Sequence, residues 1–110
     1  CLALQDQSVK EYEEQLRSNP GDPELHYKLG AMFEDKNLLD RALGEFMNAV
    51  KLNPKLVMGY YRAARVLDRQ LRAEETIRMC QQFVDLLRDD TYKTQQKWCV
   101  NRVRELQFQQ

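Results

Sequence analysis

Histidine is nearly missing from this chain of 110 residues: His26 stands alone, with no serine, cysteine or acid near it at a recognised catalytic spacing. Nucleophilic catalysis by a base-activated side chain is therefore not expected, and His26 reads as a core or rim residue. A metal site is not expected either, because His26 has no histidine four residues away and Cys80 and Cys99 do not form a Cys-x-x-Cys pair. Glycine is sparse and scattered, at 21, 30, 44 and 59, which leaves no loop able to cradle a phosphate. Net charge is lacking too: 17 basic residues balance 17 acidic ones, so no overall field draws nucleic acid or an anionic membrane. No apolar run approaches the ~20 residues that cross a bilayer, and no charged-then-apolar leader is in view. The expectation is a soluble, non-enzymatic chain with no cofactor, no metal, no nucleic-acid partner and no transmembrane segment.

Cysteine is few and odd in number, three in all, which argues for reduced thiols in a cytoplasmic setting. Cys80 and Cys99 both fall on apolar helix faces, where cysteine serves as a small core residue rather than a nucleophile. The sequence begins at Cys1 rather than Met, so it is expected to be processed or cut from something longer. An alternative stands open: Cys1 as the lipid-modified terminus of a bacterial envelope lipoprotein, with Cys80 and Cys99 left as a pair.

What the chain does contain is a period. Asn19-Pro20 returns as Asn53-Pro54, 34 residues on, and with it Asp6 returns as Asp40, Val9 as Leu43, Tyr12 as Phe46, Leu16 as Val50 and Tyr27 as Tyr61. A fixed period of this length predicts stacked helical hairpins, each too small to bury its apolar face without a neighbour. A first helix is predicted from Gln5 to Ser18, ended by Asn19-Pro20-Gly21. Pro23 suits the first turn of the next, with Asp22 as N-cap and Glu24 near the positive end of the dipole. That helix runs to Asp35, and Lys36-Asn37 makes the turn, since Asn tolerates the left-handed conformation. Asp40 is expected to cap a third helix carrying Leu43, Phe46, Met47 and Val50. Two more are predicted from Leu56 to Arg69 and from Ala73 to Arg88, with Leu71 where Asn37 stood before. Thr91 to Gln110 reads as a last helix, with Tyr92, Cys99, Val103 and Leu106 on one face and a polar remainder suited to closing a stack.

Within residues 23–56, Leu29-Gly30, Phe33, Ala42, Phe46, Ala49 and Pro54 sit at set offsets, with His26 in the first aromatic slot. This segment resembles a tetratricopeptide repeat. Gly30 and Ala42 would be small where two helices cross closely, while Phe33, Phe46 and Ala49 fill the space between hairpins. Residues 57–90 resemble a degenerate copy, with Tyr60, Ala63-Ala64, Leu67, Thr76, Cys80 and Phe83 in the corresponding slots. Residues 1–20 resemble only the second helix of a repeat, with Ser8, Tyr12 and Pro20 in register and Gln15 in the small slot. The resemblance implies an all-α, right-handed stack of antiparallel hairpins forming one domain over residues 1–110, with 91–110 as a capping helix.

It also implies a concave groove lined by the first helix of each hairpin. That assigns Tyr27, Ala31, Glu34 and Asp35 to one helix and Tyr61, Arg62, Arg65, Asp68 and Arg69 to the next. Arg62, Arg65 and Arg69 lie at i, i+3 and i+7, on one helix face. Guanidinium suits carboxylates and tyrosine offers a rigid amphipathic surface, so an acidic peptide or protein partner is expected. The chaperone-tail carboxylate clamp of this family needs Lys and Asn where this chain has Tyr27 and Ala31, so that subtype is disfavoured. Two other readings stay open. One is a structural or assembly module that self-associates through an N-terminal edge of Val9, Tyr12 and Leu16; the other is an anchoring or regulatory segment of an envelope assembly or an enzyme. Residues 1–54 hold 6 basic against 10 acidic side chains and residues 55–110 hold 11 against 7, a polarity that favours head-to-tail stacking.

Overall fold

The computed structural model describes the backbone of residues 2–109 and the side chains of residues 7–108; Cys1 lies outside them. Among the described residues there are six α-helices and no strand: α1 (Leu2–Ser18), α2 (Pro23–Asp35), α3 (Leu39–Leu52), α4 (Val57–Arg69), α5 (Ala73–Leu86) and α6 (Lys93–Gln109). They divide into two compact units, one ending at Pro54 and the other beginning at Lys55.

In the first unit, Asp22 caps α2 as its residue type predicts, its Oδ1 accepting the Glu24 N–H at 3.0 Å, and Pro23 opens the helix. The end of α2 is a Schellman turn. Asn37 takes φ 62, the Leu38 N–H donates to the Phe33 carbonyl at 2.9 Å, and the Asn37 N–H donates to that of Glu34 at 2.9 Å. This tight reversal leaves Leu38 at the cap of α3, so Asp40, expected as the cap, is already inside the first turn. Leu25, Leu29, Gly30 and Phe33 of α2 and Ala42, Phe46, Ala49 and Val50 of α3 are buried in the hairpin core. The crossing is close: a Cβ placed on Gly30 would lie 2.8 Å from the Phe46 ring.

The second unit repeats the turn 34 residues later with a different residue. Leu71 adopts φ 59, the Arg72 N–H donates to the Leu67 carbonyl and the Leu71 N–H to that of Asp68, both at 3.0 Å. Thr76, fully buried in α5, is satisfied because its hydroxyl donates to the Arg72 carbonyl at 2.8 Å. Helix α5 stops at Leu86 instead of Arg88, since Leu87 turns extended. Helix α6 starts at Lys93 instead of Thr91, because the Thr91 N–H is held by Asp89 Oδ1 at 2.9 Å in a local turn. Tyr92, expected on the helix, thus precedes it and packs against Phe83 with ring centroids 6.3 Å apart.

Cys80 and Cys99 are not the reduced thiols that the odd cysteine count predicted; they take the pairing left open as the alternative. Cys80 of α5 and Cys99 of α6 form a disulfide across a Cα separation of 5.3 Å, well within the span a disulfide bridges. Both face the core shared with Ala64 and Phe83, around which Tyr61, Trp98, Tyr92 and Val103 are half-buried. Packing and cross-linking are thus compatible uses of the same two positions.

Candidate functional site

The expected binding residues lie partly in each unit. In the first, Tyr27 is half-buried, its ring tilted against Phe46 at 5.7 Å; Ala31 and Glu34 are half-buried beside it on α2 and Asp35 is exposed. His26, one residue before Tyr27, has a more specific environment than its aromatic slot foretold. Its Nδ1 lies 2.7 Å from Glu45 Oε1 and its Nε2 lies 3.0 Å from the Pro20 carbonyl. The Pro20 carbonyl and an ionised Glu45 can only accept, so the arrangement favours the protonated imidazole, in which both ring nitrogens donate. Burial pulls its pKa down, but the bonds to Glu45 and Pro20 outweigh that and leave it above the ordinary value of 6.5.

In the second unit α4 carries Tyr61, Arg62, Arg65, Asp68 and Arg69, and α6 reaches them with side chains of its own. Tyr61 packs on Phe83 at 5.4 Å and meets Trp98 edge-to-face at 5.8 Å, with an interplanar angle of 84°. One turn along α4, the exposed Arg65 guanidinium lies 4.7 Å from the Trp98 ring centre and 5.7 Å from that of Tyr61. Its Nη1–H donates to the Tyr61 hydroxyl at 2.7 Å. Arg69 is exposed and Arg62 half-buried on the same helix.

Asp68 is answered from within the unit: Arg102 of α6 donates through Nε to its Oδ1 at 2.8 Å and through Nη1 to Glu105 at 3.2 Å. The hydrogen bond to Asp68 raises the Arg102 pKa further above its ordinary value. Asp68 is thus paired within the unit, and Arg65 stays exposed one turn away on the same helix.

Trp98 and Arg102 are the site residues that the apolar pattern of α6 passed over. Trp98 did carry a signal, as the single tryptophan of the chain and the neighbour of Cys99. Among the described residues, no group of three or more His, Cys, Asp or Glu side chains is placed to hold a metal ion, and no helix is long and apolar enough to cross a membrane. Compared with known proteins, the chain matches no family model and no curated sequence.

Proposed function

We propose that this chain is a non-catalytic interaction scaffold that binds an acidic peptide or protein segment, as its resemblance to tetratricopeptide repeats implies. The observation that carries the reading is the face of α4, where Arg65 and Arg69 are exposed beside a tyrosine already held in place by its neighbours. Arginine and tyrosine are residue types enriched where binding energy concentrates, and guanidinium groups at successive turns complement carboxylates. The test is capture of partners from the native source by the parent and by Arg65→Ala, Arg69→Ala, with helicity checked first. The double variant is expected to lose partners that the parent retains, and equal retention with equal affinity would overturn the reading. Tyr61→Ala is a poor companion variant, because Tyr61 supports Phe83 and Trp98; Tyr61→Phe keeps the ring and removes only the hydroxyl that Arg65 uses.

The disulfide supports a second element of the proposal, residence in an oxidising compartment, since structural disulfides persist there and are rare in a reducing cytosol. An envelope assembly module that self-associates through Val9, Tyr12 and Leu16, all half-buried, is the companion reading. Thiol trapping of the protein in its native cells tests the compartment: a bridged Cys80–Cys99 pair is expected, and free thiols would return the chain to the cytoplasm.

A further inference from the structure

We infer that Arg65 is the primary carboxylate contact of the α4 surface and that Trp98, from α6, is the positioning residue that holds it ready. The inference rests on the acidic-partner reading above and deepens it. Among the described residues Arg65 has no carboxylate partner; its contacts are a tryptophan face, a tyrosine face and a tyrosine hydroxyl. An exposed arginine with no such support samples many rotamers, and ordering it on binding opposes affinity. Here the ordering is already done by two rings and one hydrogen bond, which engages only one of the five N–H groups of the fork.

The rings are themselves fixed. Tyr61 is wedged between Phe83 and Trp98. Trp98 adjoins Cys99, whose disulfide to Cys80 ties α6 to α5, and one turn beyond it Arg102 ties α6 to Asp68 of α4. The acid nearest along α4 is thereby removed from competition for Arg65.

The surface fits a run of acidic side chains better than a single terminal carboxylate. Arg62, Arg65 and Arg69 extend over about 10 Å of helix at 1.5 Å per residue, a length that matches several carboxylates in succession. The unit that holds them carries 11 basic against 7 acidic residues, which supplies the long-range attraction.

The probe is a labelled glutamate-rich peptide, acetylated and amidated so that only side-chain carboxylates are offered, with its glutamine counterpart and a free-terminus peptide lacking acidic side chains as controls. The parent should bind the glutamate peptide alone, more weakly as salt rises, and binding should change the emission of Trp98, the only tryptophan. Arg65→Gln should weaken binding about tenfold or more. Trp98→Leu should weaken it about two- to fivefold at unchanged helicity, and Trp98→Phe should restore much of the loss. In the unliganded protein, Arg65→Gln should by itself alter Trp98 emission, and unchanged emission would show that the two side chains are not stacked in solution and overturn the positioning role. If the glutamate peptide binds the parent and Trp98→Leu equally, the positioning role is wrong and the acidic-partner reading survives. If the parent ignores the glutamate peptide, or prefers the free terminus, yet its capture of native partners still depends on Arg65 and Arg69, this inference fails and the scaffold reading stands.

Discussion

Leu71 combines two features that oppose folding: a leucine in the left-handed region at φ 59 and a side chain 87% exposed. The left-handed conformation costs a residue with a Cβ about 1–2 kcal/mol, less for Asn. Leu71→Asn is therefore expected to raise stability by about 0.5–1 kcal/mol, measured as a shift in urea midpoint at constant slope. Two glycines make a sharper contrast. A Cβ on Gly30 meets the Phe46 ring, whereas nothing lies within 4 Å of one on Gly44, which sits exposed in α3. Gly30→Ala should cost about 1–3 kcal/mol by overpacking, and Gly44→Ala should add about 1 kcal/mol through helix propensity. Thermal melts of the two variants should thus move in opposite directions. The need for a small residue at position 30 was legible through the resemblance to the repeat signature, whose Leu-Gly slot is filled by Leu29-Gly30. The need at Leu71 was legible only as a position matching Asn37, since nothing in leucine itself announces positive φ.

His26 works at the level of elements, because it joins the residue before the α2 turn, Pro20, to Glu45 of α3. Its folded pKa is raised, so the stabilisation it brings is fully present below the ordinary histidine value of 6.5 and is lost as pH rises through the higher folded value. The parent should lose stability over that window, and His26→Gln should flatten the profile; an NMR titration of the imidazole would locate the folded value directly. Helix α6 depends on a covalent tie instead. The disulfide spans 19 residues of sequence, and reduction is expected to cost about 2–4 kcal/mol, read as a lower denaturation midpoint with a change in Trp98 emission. Helix existence was legible from apolar spacing and from Asn-Pro punctuation, and α2 was legible closely, with Pro23 in its first turn and its end near Asp35. Other ends were not, because they follow from local hydrogen bonds that compete with residue preference. The Schellman bond from Leu38 to Phe33 displaces Asp40 from its favoured capping place, and Asp89 holds Thr91 out of α6. Which face α6 turns toward Tyr61 is a matter of tertiary register, and so Trp98 escaped the period that exposed Tyr27 and Tyr61.

At the scale of the molecule, charge is segregated along the chain: residues 1–54 hold 6 basic and 10 acidic side chains, and residues 55–110 hold 11 and 7. On the self-assembly reading, such a distribution would attract a second copy over distances within about 8–10 Å at ordinary ionic strength. Val9, Tyr12 and Leu16 add half-buried apolar surface on α1. Concentration-dependent association that weakens with salt is the expected outcome by light scattering, and a strictly monomeric chain at high concentration would remove the self-assembly reading. The cross-link between α5 and α6 has a consequence for how damage to this protein would be seen. Residues 88–91 are all exposed and lie between Cys80 and Cys99, and an exposed connection is where proteases cut first. A single cut after Arg88 leaves two fragments still joined through sulfur, migrating as one species until a reductant is added. The nick would be invisible on a non-reducing gel, and the site proposed at Arg65 would outlast the break in the chain that carries it.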